Sequence, residues 1–261
     1  MAETEFLVLR LYGPLAAWGD VAVGEVRPIL SHPTKSALIG LMGAALGIRR
    51  EENEIISRMA KSYGFAVADE GRKSRIRDFH TVQFAPVSKE KEFGYGYLAN
   101  RQRELSIPVK ELNTSLTYRD YICDVVYTVA VWVKDASQVP FSLSEVASAL
   151  REPKFVPYLG RKSCVLSRPM EPQLISAVNP MQAIHQAVFY GDDAKSAYSG
   201  KLYVYPYSSG KNERFGQIVY EGEWDFPSVT EEVFRDEPLS RTARQFERRR
   251  VKRAGFCRGE C

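Results

Sequence analysis

The sequence predicts an α+β protein whose N-terminal half follows the ferredoxin-like (RRM-like) plan. The predicted elements run in the order strand, helix, strand, strand, helix, strand. Residues 121–134, YICDVVYTVAVWVK, form a β-branched and aromatic run that is typical of a central strand. A long segment without sustained periodicity interrupts the order after its third strand. RNA-recognition modules share this plan and receive RNA on the open face of the sheet, which makes RNA binding a first hypothesis.

The first two elements are a strand at residues 6–11 and a helix after the following polar turn. Pro33 supplies a fixed φ and Thr34 a hydroxyl cap at the start of the helix, while Gly47 suits its C-terminal end. The apolar stripe of this helix consists of Ala37, Leu38, Leu41, Met42, Ala45 and Leu46. The helix is therefore expected to pack against a sheet.

The later elements follow from the same periodicities. A second, amphipathic helix is predicted at residues 51–62, and Ser142 or Ser144 is expected to cap a short helix through Leu150. Asn179-Pro180 opens a further helix that runs to about residue 188. Additional strands are predicted at residues 65–68, 75–84, 173–177, 201–207 and 216–224.

These elements predict two regions. Residues 1–155 form the ferredoxin-like domain, with an insertion at about 85–117. Residues 156–261 form a small C-terminal β-rich region with a basic tail, and its strands are expected to make a second, smaller sheet region on the same core. The stretch after Phe246, RRRVKRAGFCRGEC, shows no assignable element and is interpreted as a basic extension or as a junction.

Composition limits the class of protein and the kind of site. With 44% hydrophobic and 26% charged residues, the 261-residue chain is typical of a globular protein. It begins without the basic and apolar regions of a signal peptide, so a cytoplasmic protein with no membrane segment is expected. The cysteines are too scattered for a disulfide framework, and no second pair with ligand spacing completes a metal site at Cys257 and Cys261. No cofactor or metal is expected.

Basic residues cluster in two segments although the net charge is only +4. The first cluster is Arg72, Lys73, Arg75 and Arg77, and the second is Arg241, Arg244, Arg248, Arg249, Arg250, Lys252, Arg253 and Arg258. Such clusters permit a polyanionic partner but do not require one, since a run of charges is usually a solvated face.

The insertion combines aromatic and basic residues. Phe93, Tyr95 and Tyr97 alternate with glycines, and Arg101 and Arg103 follow them. Stacking groups beside cations suit single-stranded nucleic acid. An extended hairpin that packs on a neighbouring protein explains the composition equally well, and one hairpin can do both. Loops beyond about 15 residues are uncommon in compact domains and are often functional.

The start of the first helix is a second candidate site. Its unpaired N–H groups emerge beside Lys35 and Ser36, and such a helix end attracts phosphate. The plainer interpretation is a buried helix with both side chains solvated, and these residues alone favour it.

One enzymatic alternative remains open. The sequence has neither a GxSxG elbow nor a P-loop, which disfavours nucleotide-driven catalysis. Metal-independent RNA cleavage needs only a His or Tyr near the 2′-hydroxyl and a cation for the phosphorane. His80, Tyr121 and Lys162 supply these residue types, although spacing alone does not show that they converge.

Several blocks in consistent order resemble the CasD family, the Cas-five-type RAMP subunit of the type I-E CRISPR complex Cascade. They are LRLYGPLAAWGD, HPTKSALIGLMGAALGIRRE, RDFHTV, TYRDYICDVVYTVAVW and PKFVPYLGRKSC, followed by RDEP and ARQF. The resemblance implies a ferredoxin-like RAMP domain with a hairpin thumb. It also implies a non-catalytic subunit that binds and caps the 5′ handle of CRISPR RNA, contacts the CasC backbone and the large CasA subunit, and meets target DNA only through the complex.

The resemblance also implies which residues touch RNA. The handle-binding candidates are Arg27, Lys35, Ser36, His80, Arg119, Tyr158, Arg161 and Lys162. The thumb candidates are Tyr95, Tyr97, Arg101 and Arg103. Arginine and lysine can hold phosphate, and tyrosine can stack on a base. The insertion is longer than expected for the family at residues 86–104, which leaves the thumb contacts open between RNA and a neighbouring subunit.

Overall fold

The computed structural model describes residues 3–22, 24–70, 74–85, 106–190, 214–224, 230–240, 242–243 and 245–258. Side chains are not described at 214, 215 and 256–258. The chain forms two compact units. The first unit contains residues 1–18, 30–74 and 122–261, and the second contains residues 19–29 and 75–121.

The first unit is built on strands with helices between them. The strands are β1 (Thr4–Ala16), β3 (Tyr63–Asp69), the C-terminal part of β5 (Asn113–Val133), β6 (Gln173–Ala177), β7 (Arg214–Tyr220), β8 (Thr230–Ser240) and β9 (Gln245–Arg258). The helices are α1 (Lys35–Leu46), α2 (Asn53–Ser62), α3 (Leu143–Arg151) and α4 (Pro180–Gln186). β2 and β4 belong to the second unit. The mixed α and β composition with an antiparallel sheet confirms the predicted fold class at that level.

The sheet of the first unit has the order β6-β1-β5-β3-β7-β9-β8. Each of these neighbouring pairs is antiparallel. β1 lies between β6 and β5, with Leu7 opposite Leu174 on one side and Val131 on the other. β7 pairs with β3 from Ala66↔Tyr220 onward, so the C-terminal strands extend this sheet instead of forming a second one. The expectation of a second sheet region is therefore wrong.

Both faces of this sheet are buried. Leu7 and Leu9 of β1 pair with Val131 and Val129 of β5, and these four side chains are buried. The odd-numbered residues of β1 point to one face of the sheet. Even-numbered residues point to the other face, where Phe6 and Val8 pack with residues of α4. Aromatic rings close this second face, because Trp224 lies 5.2 Å from Trp132 and 5.8 Å from Phe6 between ring centroids. The sheet face that the plan leaves open for RNA is therefore covered here.

The Arg-rich C-terminal stretch is a strand. β9 lies between β7 and β8, and its cations meet carboxylates of neighbouring segments. Arg253 Nε lies 3.0 Å from Glu232 Oε1 of β8, and Lys252 pairs with Glu223. The interpretation of this stretch as an extension was wrong. Its many arginines hide the alternation of apolar and polar residues that usually marks a strand, and arginines can occupy strand positions when they pair with carboxylates on the neighbouring strand.

The helix caps follow the local sequence signals. Thr34 Oγ1 accepts a 3.1 Å hydrogen bond from Ala37 N at the start of α1, and Gly47 ends α1 in the left-handed region. Ser142 caps α3 through a capping box with Glu145, and Asn179 caps α4. These four predicted caps are confirmed. None of the helices in the described ranges has the length and apolar character needed to cross a bilayer.

The second unit contains β2 (Val26–Arg27) and β4 (Ser74–Phe84), which both pair with β5. A short 3₁₀ turn at Val109–Glu111 precedes β5. β4 is exposed along almost its whole length, including the apolar side chains of Phe79 and Val82. The strand predicted at 75–84 is confirmed. Most of the predicted thumb, residues 86–105, lies outside the described residues, as do the strand predicted at 201–207 and Cys261.

Replacing Ser142 with alanine is expected to lower the free energy of unfolding by about 1 kcal/mol, because the first N–H groups of α3 lose their cap. Urea denaturation followed by circular dichroism measures the change. The matched control is Ser148→Ala in the same helix, where the exposed serine caps nothing and alanine favours the helix. Equal losses in the two variants would contradict the capping role.

Candidate nucleic-acid interface

A groove of about 320 Å³ runs between α1 and the segment that follows α3. Ser36, Ala37 and Gly40 line it from α1, and Phe155, Val156 and Tyr158 line it from the opposite wall. Two predicted RNA contacts, Ser36 and Tyr158, therefore meet at one surface. Ala37 and Gly40 have small or no side chains on this wall, so they leave space for the groove along the helix.

The outer wall of the groove is held by backbone hydrogen bonds. Lys154 N donates to Ala45 O and Phe155 N to Ala44 O, both at 3.0 Å. These bonds are accepted by carbonyls in the last turn of α1, where Ala44 O also accepts a 3.1 Å hydrogen bond from Gly47 N. Gly47 makes the approach possible, because a Cβ there would lie 2.6 Å from Lys154 Cδ. The end of α1 and the start of the wall are therefore joined directly by backbone hydrogen bonds.

The wall continues into a tight turn over residues 158–165. Leu159 N donates to Cys164 O at 2.7 Å, and Cys164 N donates to Arg161 O at 2.8 Å. Leu159 and Cys164 are fully buried, and Leu159 O accepts a 3.0 Å hydrogen bond from Ala17 N at the end of β1. Burial raises the pKa of the Cys164 thiol. The turn is thus anchored to the sheet.

The surface of the wall is apolar beside cations. Phe155, Val156 and Tyr158 are 45%, 79% and 39% exposed. Lys162 is exposed and Arg161 half-buried in the adjacent turn. Apolar and aromatic groups next to cations can stack on bases and hold phosphates. Sequence reasoning missed Phe155 and Val156, although large apolar residues in a Pro- and Gly-marked loop were the available signal.

Lys35 does not face this groove. Its side chain is fully buried, with Nζ 3.2 Å from Glu221 Oε2 and 3.3 Å from Glu237 Oε1. An ammonium enclosed by two carboxylates is not available to an RNA phosphate, so the prediction of Lys35 as an RNA contact is corrected. The N-terminus of α1 is also occupied by an anion from the protein itself, because Lys35 N donates a 2.7 Å hydrogen bond to the carboxylate oxygen Oδ2 of Asp236.

Lys35 belongs to a charge cluster of three cations and three carboxylates, of which Lys134 is 32% exposed and the others are largely buried. Its members are Lys35, Lys134, Glu221, Asp236, Glu237 and Arg249. Arg249 grips Asp236 with two hydrogen bonds, Nε to Oδ1 at 2.6 Å and Nη2 to Oδ2 at 2.8 Å. Lys134 Nζ lies 3.0 Å from Glu221 Oε2. The cluster joins α1, the end of β5, β8 and β9.

The protonation of the cluster follows from burial and pairing. Burial alone would raise the pKa of Asp236, but the hydrogen bonds and charge of Arg249 outweigh it and hold that pKa below its usual value. Burial lowers the pKa of Lys35, and the opposing effect of Glu221 offsets this only in part. The carboxylate of Asp236 therefore stays ionised at neutral pH.

Three predicted RNA contacts lie in the second unit. Arg27 of β2 is in parallel register with Arg119 of β5, so two arginines lie on adjacent strands. Arg27 is exposed, and its Nη1 donates to Gly24 O at 2.6 Å. His80 Nε2 lies 2.9 Å from Asp78 Oδ2.

The remaining predictions stay untested by geometry. The thumb candidates Tyr95, Tyr97, Arg101 and Arg103 lie outside the described residues. Of the three residues in the ribonuclease alternative, His80 and Tyr121 belong to the second unit and Lys162 to the first. Within the described ranges, no group of three or more His, Cys, Asp or Glu side chains is placed to hold a metal ion.

Comparison with known proteins points to one family. Residues 6–252 match the family model described as CRISPR-associated protein (Cas_Cas5). The chain is similar to the CRISPR system Cascade subunit CasD of Escherichia coli (strain K12), with 34% identity over 202 residues. That alignment covers 74% of this chain and 82% of the relative.

Solved structures agree. A chain of a CRISPR RNA-guided surveillance complex matches with a TM-score of 0.61 and 25% identity, over 97% of this chain and 90% of that one. A crystal structure of a Cas protein matches with a TM-score of 0.59 over 97% and 95% of the two chains. The second match, at 22% identity, shows the similarity of fold alone.

Replacing Gly160 with alanine is expected to destabilise the turn beside the groove. Its φ is +89°, and a Cβ there would overlap the carbonyl oxygen of Ala17. Backbone strain alone costs about 1–3 kcal/mol, and the overlap adds to it. The matched control is Gly24→Ala, where φ is +66° but a Cβ would meet no described atom within 4 Å. Urea denaturation should show the larger loss at Gly160, and equal losses would contradict the close approach to Ala17.

Proposed function

Because the chain belongs to the CRISPR-associated Cas_Cas5 family, we propose that it is the non-catalytic, CasD-like subunit of a type I-E Cascade complex. The family match confirms the resemblance found in the sequence motifs. In this role the protein binds and caps the 5′ handle of CRISPR RNA in the cytoplasm. The solved relative is named as part of an RNA-guided surveillance complex, which supports an RNA partner for this chain.

The main support for an RNA contact is the groove between α1 and the wall formed by residues 155–160. It is concave, partly apolar, and holds Ser36 and the exposed ring of Tyr158 on facing walls. Single-stranded RNA is recognised through unstacked bases on aromatic side chains, with phosphates held by nearby cations. Tyr158 supplies the stacking surface, Ser36 a hydroxyl, and Arg161 and Lys162 the positive charge.

The second unit supplies the remaining proposed contacts. Arg27 and Arg119 are adjacent on β2 and β5, and two arginines side by side can hold successive phosphates. His80 and the thumb residues Tyr95, Tyr97, Arg101 and Arg103 are the further RNA contacts proposed for this unit. Lys35 is omitted from it, since its ammonium is buried.

The proposed assembly follows the family. The subunit contacts the CasC backbone and the large CasA subunit, and target DNA only through the complex. A ferredoxin-like RAMP domain at 1–155 and a β-rich region at 156–261 are part of the proposal. The order β6-β1-β5-β3, with helices α1 and α3 in the two crossovers, supports the ferredoxin-like plan. Its fourth strand is then β6 (Gln173–Ala177), which places the end of the ferredoxin-like part beyond residue 155.

The alternative, a metal-independent endoribonuclease that uses His80, Tyr121 and Lys162, is not favoured by the relatives. Labelled CRISPR repeat RNA incubated with the protein in EDTA distinguishes the two functions. Intact RNA supports the binding role. Cleavage that disappears in His80→Ala or Tyr121→Phe would overturn the non-catalytic proposal.

Replacing Arg161 and Lys162 together with alanine is expected to weaken binding to repeat RNA and to flatten its salt dependence. Each lost phosphate contact lowers the slope of log K against log salt by about 0.7 on single strands. Fluorescence anisotropy across a salt series measures both effects. The matched control is Arg58→Ala with Lys61→Ala, an exposed Arg and Lys on α2. An unchanged slope in the Arg161 and Lys162 variant would argue against direct phosphate contact.

Replacing Tyr158 with alanine is expected to cost about 1–3 kcal/mol of RNA binding, because one stacked base loses its platform. Tyr158→Phe keeps the ring and should retain most of the affinity. The matched control is Tyr190→Ala, an exposed tyrosine that does not line the groove. Equal affinity of Tyr158→Ala and the unaltered protein would remove Tyr158 from the RNA surface.

A further inference from the structure

The start of α1 is held by a carboxylate from the other end of the chain. Asp236 Oδ2 accepts hydrogen bonds from Lys35 N at 2.7 Å and from Arg249 Nη2 at 2.8 Å. Its side chain is only 7% exposed. The position is the one where a helix N-terminus binds a phosphate or sulfate, and here β8 supplies the anion itself.

The contacts around Asp236 hold the segment that leads into the groove. On the same strand, Phe234 packs edge-to-face on the buried ring of His32, with centroids 5.2 Å apart. Glu237 lies 3.3 Å from Lys35 Nζ. Three successive contacts of β8 therefore fix residues 32–35, and Ser36 of the groove is the next residue.

We propose that Asp236 is a positioning residue for RNA binding: it neutralises the N-terminus of α1 and, with Arg249, fixes where Ser36 and the α1 wall of the groove lie. Asp236 does not touch RNA, and it acts through the backbone of Lys35. The role in RNA binding rests on the proposed function, whereas the role in fixing the position of α1 does not depend on it.

The chain provides a matched comparison. Glu232 is also a carboxylate of β8 paired with an arginine of β9, with Oε1 3.0 Å from Arg253 Nε and Oε2 3.0 Å from Nη2. Its side chain is 36% exposed, and none of its described hydrogen bonds reaches α1. Removal of Glu232 therefore tests the loss of a β8–β9 ion pair without the loss of an anion at α1.

The experiment uses the full chain as Asp236→Ala, Asp236→Asn and Glu232→Ala. Hydrogen exchange by mass spectrometry follows the amides of residues 35–38, with α3 as the internal reference. Repeat-RNA affinity is measured in sodium chloride and in sodium formate at equal ionic strength. Formate is the probe because it can replace the missing carboxylate between Arg249 and the helix N-terminus.

Loss of a hydrogen bond to a charged group corresponds to about a tenfold or larger change, so Asp236→Ala should exchange at least that much faster at residues 35–38. Asp236→Asn keeps an acceptor oxygen but loses the charge, so it should also exchange faster there, by a smaller factor. The RNA affinity of both variants should fall, and formate should restore protection and affinity in Asp236→Ala alone. Glu232→Ala should exchange normally at these residues. If Asp236→Ala fails to fold, Asp236→Asn, which keeps the shape and loses the charge, carries the same test.

Three results would overturn the positioning role. They are normal exchange and affinity in Asp236→Asn, equally faster exchange in α3, and a formate effect of the same size in Glu232→Ala. Local exchange and formate rescue in a chain that binds no RNA even unaltered would support the positioning of α1 and overturn the proposed function instead.

Discussion

The structure of the first unit depends on ion pairs between charged side chains of its first helix and charged side chains of its last strands. Lys35, Glu221, Asp236, Glu237, Arg249 and Lys134 form a largely buried cluster in which positive and negative charges balance. Removal of one partner from such a cluster leaves an uncompensated buried charge, which typically costs about 3–5 kcal/mol. Because Asp236 already occupies the N-terminus of α1, that helix end is not free to bind an external anion. The polar end of this helix therefore stabilises the fold.

This arrangement explains why the groove lies where it does. Around the described residues of β1 and its neighbours, the face that carries Phe6 and Val8 is closed by α4 and three aromatic rings, so this part of the sheet is covered. The side of α1 that faces the 155–160 wall remains accessible. Backbone bonds from Lys154 and Phe155 fix that wall, which means that the width of the groove is set by main-chain geometry and its chemistry by a few side chains.

The parts of the fold that depend on neighbouring residues could be predicted from the sequence. Thr34, Gly47 and Ser142 act within one turn of their helices, so their roles follow from the residue types alone. The position of Lys35 could not be predicted, since its partner Glu221 lies 186 residues away in the sequence. β9 was missed for the same reason: its arginines are compatible with a strand only once the carboxylates of β8 and Glu223 are in place. The role of the turn at 158–165 as part of a groove wall could not be predicted either, because it requires α1 beside the turn.

The contact between Lys35 N and Asp236 also has a consequence for the order in which the protein is made. The two residues are 201 positions apart. At a synthesis rate of about 5–20 residues per second, α1 leaves the ribosome roughly 10–40 seconds before Asp236 does. During that interval the helix start has no internal anion, and Lys35 has no carboxylate from Glu221 or Glu237. The charges that neutralise the start of α1 and Lys35 in the finished protein are therefore in place only once the last strands have been made.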